Sequence, residues 1–342
     1  MKKQGIGYEK LKKNEKLAYE ILFDNLMKKA KTINGSGISS SVDLMKILGI
    51  VLGDNPQITY FDKTCVKVSY SLLAGKQFSL FVPYSISKIN NRDLSLQQSV
   101  KHAIDEIDSY YPVSDYSRLL SIYEYLQDHV IYDDEEFNAV CKGRKSTNID
   151  SHNAYGAIIN GKAVCDGIAA AFCILAQAMG YECTVVSGRA TFLTTGFSEH
   201  AWNIIKVGEH FYHVDATWDI NHKREMENYS YEYFCVDDSD IQNDHQWDIN
   251  ITPACNYNDL SYYCRSQCLA NNLTQIEDIF IRFSKSKQKQ VRVKISSSVS
   301  IPEPAEEYLS AKLLDVSSSF GRVGSIRYMW NDRMRCFYAA FQ

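Results

Sequence analysis

Between residues 165 and 180 the apolar positions Ile168, Phe172, Leu175 and Met179 fall at steps of four, three and four, which predicts a helix with one buried face and Gly180 just past its end. Further on, two runs rich in β-branched and aromatic residues flank Gly208-Glu209, which predicts a hairpin across residues 200–218. Upstream, residues 8–33 read as a long charged helix with Leu11, Leu17, Ile21 and Leu22 toward a core, and Ser39 to Asp43 lead into a shorter helix ending before Gly53-Asp-Asn-Pro56. Strands with alternating Val66, Val68, Tyr70 and Phe78, Leu80, Val82 flank Ala74-Gly-Lys76. Helices near 95–110 and 115–130 follow, separated at Pro112, the second marked by Leu119, Ile122 and Leu126. After Pro253 the pattern gives a helix near 274–284, a strand near 291–296, a Pro302/Pro304 helix entry and a terminal hairpin around Asn331-Asp332. This is an α+β chain without internal repeats. Its expected parts are an N-terminal helical and β-hairpin unit (1–110), a central domain (111–255) and a small C-terminal α+β extension (256–342).

The chemistry concentrates in the central part. Cys165 sits at the start of its helix, where unpaired N–H groups and the positive end of the helix dipole favour a thiolate. Cys173 and Cys183 read instead as small buried hydrophobes. With Gly208-Glu209 as the hairpin loop, Trp202 lies opposite Asp215 and His200 projects from the same face; a Val207-Gly208 loop would set His200 directly opposite Asp215. Either register gives His200 as a base and Asp215 as the group that orients it. His213 shares that face and reads as ordinary strand packing, and His210 as a solvated turn residue. Asp219 is expected past the strand, in solvent or a turn.

Three segments now carry a resemblance: Gly-Lys-Ala-Val-Cys165-Asp-Gly before a helix, His200-Ala-Trp-Asn, and Val-Asp215-Ala-Thr-Trp-Asp. They resemble the bacterial transglutaminase-like proteins of the papain-like cysteine-enzyme superfamily. Asn153-Ala-Tyr155-Gly-Ala-Ile is similar to the segment before the nucleophile, and Tyr233-Phe-Cys-Val-Asp-Asp-Ser-Asp with His245-Gln-Trp247 to the segment closing the domain, so the likeness covers roughly residues 115–255. Ile168 departs from the aromatic residue common in such proteins. The resemblance implies a papain-like transglutaminase core with Cys165 as nucleophile, His200 as general base and acid, and Asp215 as the holder of the imidazole. It also implies an oxyanion site. The Cys165 backbone N–H is one donor, and Gln127, Tyr132 and Tyr155 are the candidates for the second.

The expected activity is attack on peptide or side-chain amides of a protein or peptide substrate through a thioester, as peptidase, deamidase or transglutaminase. The contrasting expectation is a non-catalytic polypeptide-binding module that keeps the fold. Composition agrees with a globular chain: 342 residues, 45% hydrophobic and 23% charged, suffice for a large core. A net charge of -4 gives no reason to expect nucleic acid, and the basic residues from Arg282 to Lys294 read as a solvated strand face. Twenty-three tyrosines read as half-buried packing. The Lys-rich start lacks the apolar stretch of a signal peptide and no run approaches a membrane span, so a cytoplasmic location with reduced thiols is expected. Of the ten cysteines, Cys264 and Cys268 are one helical turn apart but have no second ligand pair nearby, so neither metal nor cofactor is expected.

Overall fold

The computed structural model describes residues 5–35, 37–71, 75–110, 114–191 and 196–342. The expected turn at Ala74 and the break at Pro112 lie outside the described residues. The chain forms two compact units, residues 1–234 with 245–256 and residues 235–244 with 257–342.

In the first unit the central element is the helix Cys165–Ala178, apolar on every side: Ile168, Ala169, Ala171, Phe172, Cys173, Leu175 and Ala176 are all buried. A helix apolar all round belongs in the interior rather than on a surface. It packs against a sheet ordered His210–Val214, Ser198–Val207, Glu182–Ala190, His245–Gln246, antiparallel throughout. The Val207↔His210 and Asn203↔Val214 pairs select the Gly208-Glu209 loop, with Gly208 at φ +59°. Pairing stops at Val214, earlier than the hairpin pattern suggested, because Asp215 caps the next helix, Ala216–Met226, by accepting from Thr217 N at 2.9 Å.

The N-terminal residues belong to this same unit, where the sequence suggested a separate one. Asp54, at the end of the helix Leu44–Asp54, accepts from Gly7 N, Tyr8 N, Tyr19 Oη and, at 2.7 Å, Thr184 Oγ1 on the strand Glu182–Ala190. Such a bond pattern runs across 130 residues and leaves no mark on local periodicity. The predicted helix over 8–33 is broken: Ile6–Glu9 and Lys13–Met27 are helical, and Lys29 at φ +58° turns the chain into the strand Thr32–Asn34, whose Ile33 pairs with Phe78. Leu17 is 48% exposed, and the core face consists of Ala18, Tyr19, Leu22, Phe23 and Leu26.

The second unit is a four-stranded sheet ordered Leu269–Ala270, Gln290–Ile295, Cys336–Phe341, Ile326–Asn331, packed by the helices Leu273–Lys285 and Ala305–Ser319. Val291, Val293 and Ile295 face its core with Phe280, Leu309 and Phe337. Lys294 is not part of a solvated basic face. It is buried and pairs with Asp240 at 2.7 Å. Among the described residues no helix is long and apolar enough to cross a membrane.

Candidate active site

Cys165 is the first residue of the central helix, and two glycines set its surroundings. A Cβ on Gly167 would come within 2.3 Å of Ser151 O, so only glycine lets the first turn dock on the short 3-10 turn Ile149–His152. A Cβ on Gly188 would meet Gln246 O at 2.3 Å and the Trp202 ring at 2.6 Å, so glycine there lets Trp202 lie flat beneath His200, which pairs with Gly188 across the strands. Cys165 is partly exposed. His200 is 8% exposed, and its Nε2 lies 2.7 Å from Asp215 Oδ2, leaving Nδ1 as the ring nitrogen that can serve the thiol of Cys165, which lines the same two clefts.

The electrostatics follow from burial and charge. Burial alone would push the His200 imidazolium down, but the Asp215 charge and hydrogen bond, with a contribution from Cys165, outweigh it and raise the pKa to about 9. Asp215 is fully buried, which would raise its pKa; its two histidine partners hold it well below the ordinary carboxylate range. The second of these is His245, whose Nε2 lies 3.2 Å from the same oxygen.

Two clefts meet at the Cys165–His200 pair. The larger, about 690 Å³, has a mostly apolar wall of Met45, Leu52, Phe137, Val140 and Val185. The smaller, about 250 Å³, is bounded by Tyr132, Trp218 and the polar Thr217 and Asn221. Residues of the N-terminal helix Leu44–Asp54 thus wall the same cleft as the thiol.

Of the three oxyanion candidates, only Tyr132 lines a cleft beside Cys165. Burial, then the proximity of Cys165 and Asp166, pushes its phenol far above the ordinary range, so it remains an O–H donor. Gln127 lies elsewhere: its Nε2 donates to Ser230 O at 2.8 Å and its Oε1 accepts from Ser230 N at 3.0 Å. Tyr155 also lies elsewhere, stacked on the Arg92 guanidinium at 3.6 Å, while Arg92 forks onto Asp150. Both are helix-borne side chains whose partners come from distant segments.

Asp219 departs most from expectation. It is fully buried inside the helix Ala216–Met226, where its carboxylate accepts from Tyr123 Oη, Ser230 Oγ and Tyr233 N. His213 is buried too and accepts from Trp202 Nε1 at 3.0 Å, so it supports the indole under the site. Sequence reasoning missed the network around Asp166, the residue after the thiol. Asp166 pairs with Lys63 at 2.7 Å and with His152 Nδ1 at 3.1 Å, while His152 Nε2 meets Glu136 at 3.0 Å. Burial would raise the Asp166 pKa, but Lys63 and His152 hold it at about 2. It missed His245 also, whose only sequence signal was its place in the closing segment.

Residues 109–216, a span that includes Cys165, His200 and Asp215, match the model of the transglutaminase-like superfamily. The chain therefore carries a transglutaminase-like domain, and its mixed helix-and-strand architecture is an α+β fold of the papain-like kind. Among solved structures it is similar to a TGase at 15% identity and TM-score 0.33, covering 44% of this chain and 43% of that one. It is also similar to a protein from Cytophaga hutchinsonii named as a candidate cysteine protease, at 16% identity and TM-score 0.28, covering 44% and 61%. Menin is similar at 12% identity and TM-score 0.28, covering 90% and 62%. The chain thus spans between two fifths and two thirds of the length of these structures. No curated protein matches the chain.

Proposed function

We propose that the protein is a cysteine-dependent enzyme that acts on peptide or side-chain amide bonds of polypeptides through a thioester on Cys165. The observation that carries this reading is the Cys165, His200, Asp215 arrangement open to two clefts at the start of a helix. His200, having taken the thiol proton, stands as the imidazolium of an ion pair with the sulfur, which attacks the amide carbonyl carbon. The resulting oxyanion is met by the Cys165 backbone N–H and the Tyr132 hydroxyl. The C–N bond breaks as His200 returns its proton to the departing ammonia or amine, leaving the thioester. Water or an amine then attacks the thioester carbonyl, giving its own proton to His200 and releasing the sulfur. Incubation with amide substrates and mass spectrometry of trapped acyl-enzyme tests this, with the acyl mass expected on the peptide containing Cys165. Acyl mass on another cysteine would remove Cys165 as the nucleophile, and acyl mass on none while wild type binds polypeptide without turnover would point to the binding-module reading.

Two further outcomes follow. Because the His200 imidazolium persists up to about pH 9, kcat/KM should hold through neutrality and fall as pH rises past 9, where the proton needed by the leaving amine is lost. A pH-rate profile checks this. A decline centred near pH 6.5 would mean that Asp215 does not hold the imidazolium as the geometry indicates. Tyr132→Phe should lower kcat by about 10- to 1000-fold with KM nearly unchanged, the range expected for loss of one oxyanion donor. Steady-state kinetics of the pair checks it, and an unchanged kcat would remove Tyr132 from the oxyanion site.

A further inference from the structure

We infer that His245 is a positioning residue of this site, a second imidazole that fixes and tempers the Asp215 carboxylate; the inference rests on the reading of Cys165, His200 and Asp215 given above. His245 Nε2 lies 3.2 Å from Asp215 Oδ2, the oxygen that also takes His200 Nε2 at 2.7 Å, while Thr217 N holds Oδ1 at 2.9 Å. The terminal torsion of an aspartate is soft, so a single histidine partner would leave the carboxylate plane free to turn. Three donors on two oxygens fix it.

His245 does not touch the clefts. It is 1% exposed and enclosed by the rings of Trp218 at 4.7 Å, Trp202 at 4.9 Å and Tyr233 at 5.7 Å. Its strand, His245–Gln246, pairs with the end of Glu182–Ala190 through Ala190↔His245, which brings it to a carboxylate 30 residues away in sequence. Its effect on the chemistry passes through charge. An N–H donated to Oδ2 takes up part of the negative charge that would otherwise bear wholly on the His200 imidazolium. A general acid must release its proton as well as hold it, and the divided carboxylate keeps His200 able to do both.

Three substitutions separate this role from packing. His245→Gln places an amide N–H near the position of Nε2, His245→Asn is too short to reach Oδ2, and His245→Phe keeps a ring without a donor. The Asn and Phe variants should lower kcat by about 10- to 1000-fold with KM changed by less than about threefold, and the Gln variant should recover to within about tenfold of wild type. NMR titration of the His200 ring, which needs no turnover, should show its pKa raised by more than about half a unit in the Asn and Phe variants and by less in Gln, since Asp215 then bears undivided on the imidazolium. Wild-type kcat and an unmoved or lowered His200 titration in the Asn variant would overturn the inference, even if the melting temperature fell. Should wild type itself turn over no amide, the enzyme reading fails while the titration still decides the role of His245. Should the Phe variant fail to fold, the Asn and Gln pair decides it.

Discussion

Replacing Cys165 with alanine is expected to reduce amide turnover by at least about 10⁴-fold, the scale on which removing the nucleophile of a working triad acts, and to leave the fold intact. Cys165 is partly exposed at the mouth of the clefts, so its loss opens no interior cavity. Cys173 offers the contrast within the same helix. It is fully buried, and its sulfur lies 3.2 Å from Cys183 O and 3.6 Å from Gly53 O. Cys173→Ala removes that packing and should cost about 1–2 kcal/mol of stability, with turnover per folded molecule unchanged. Kinetics and denaturant melts of the two variants give the comparison. Turnover surviving in Cys165→Ala would end the thioester mechanism, whatever the other result.

What the sequence made legible was local. A period of two through the residues flanking Gly208-Glu209 fixed the face shared by His200 and Asp215, because slipping one residue would send them to opposite sides of the sheet. A period near 3.6 after Cys165, with Gly180 at φ +96° just past the helix, located Cys165 at a helix start. What stayed hidden depends on distant partners. Gln127 and Tyr155 are polar residues near the motif in sequence, and nothing local shows that one is held by Ser230 and the other by Arg92. His245 reaches Asp215 only because its short strand adds to the edge of the sheet at Ala190. The break in the predicted 8–33 helix has a similar origin: Ile33 is fully buried as the partner of Phe78, and that tertiary pairing overrides the helical propensity of the residues before it.

Asp219 shows the same limit with the largest consequence for stability. Four residues after Asp215, it was expected in solvent; the early end of the strand at Val214 instead carries it into a helix, on the face turned toward the interior. There its carboxylate takes the hydroxyls of Tyr123 and Ser230 and the backbone N–H of Tyr233, and the Tyr123 hydroxyl also lies 2.8 Å from Asp215 O. Asp219→Ala would leave these buried donors without their acceptor and should cost about 3–5 kcal/mol, the upper range for single substitutions. Asp219→Asn should be milder, about 1–2 kcal/mol, because the amide oxygen can still accept and the Ser230 hydroxyl can turn to accept from the amide nitrogen. The nearby His222 adds a pH signature. Its burial would lower its pKa, but Glu232 and Asp219 raise it to about 9. A group raised in the folded state contributes stability that is complete below its unfolded value near 6.5 and is lost as pH rises through about 9. In the alanine variant that loss between pH 6.5 and 9 should shrink, since one of the two carboxylates is gone. Asp215→Asn should act on rate instead, lowering kcat by about 10- to 10⁴-fold, because an amide cannot supply the charge that holds His200 as imidazolium. Urea unfolding of the Asp219 variants at pH 6 and 9, beside the kinetics of Asp215→Asn, measures both effects. A cost below about 1 kcal/mol for Asp219→Ala would mean that water replaces the lost acceptor and that this network is not what anchors the Ala216–Met226 helix beneath the site.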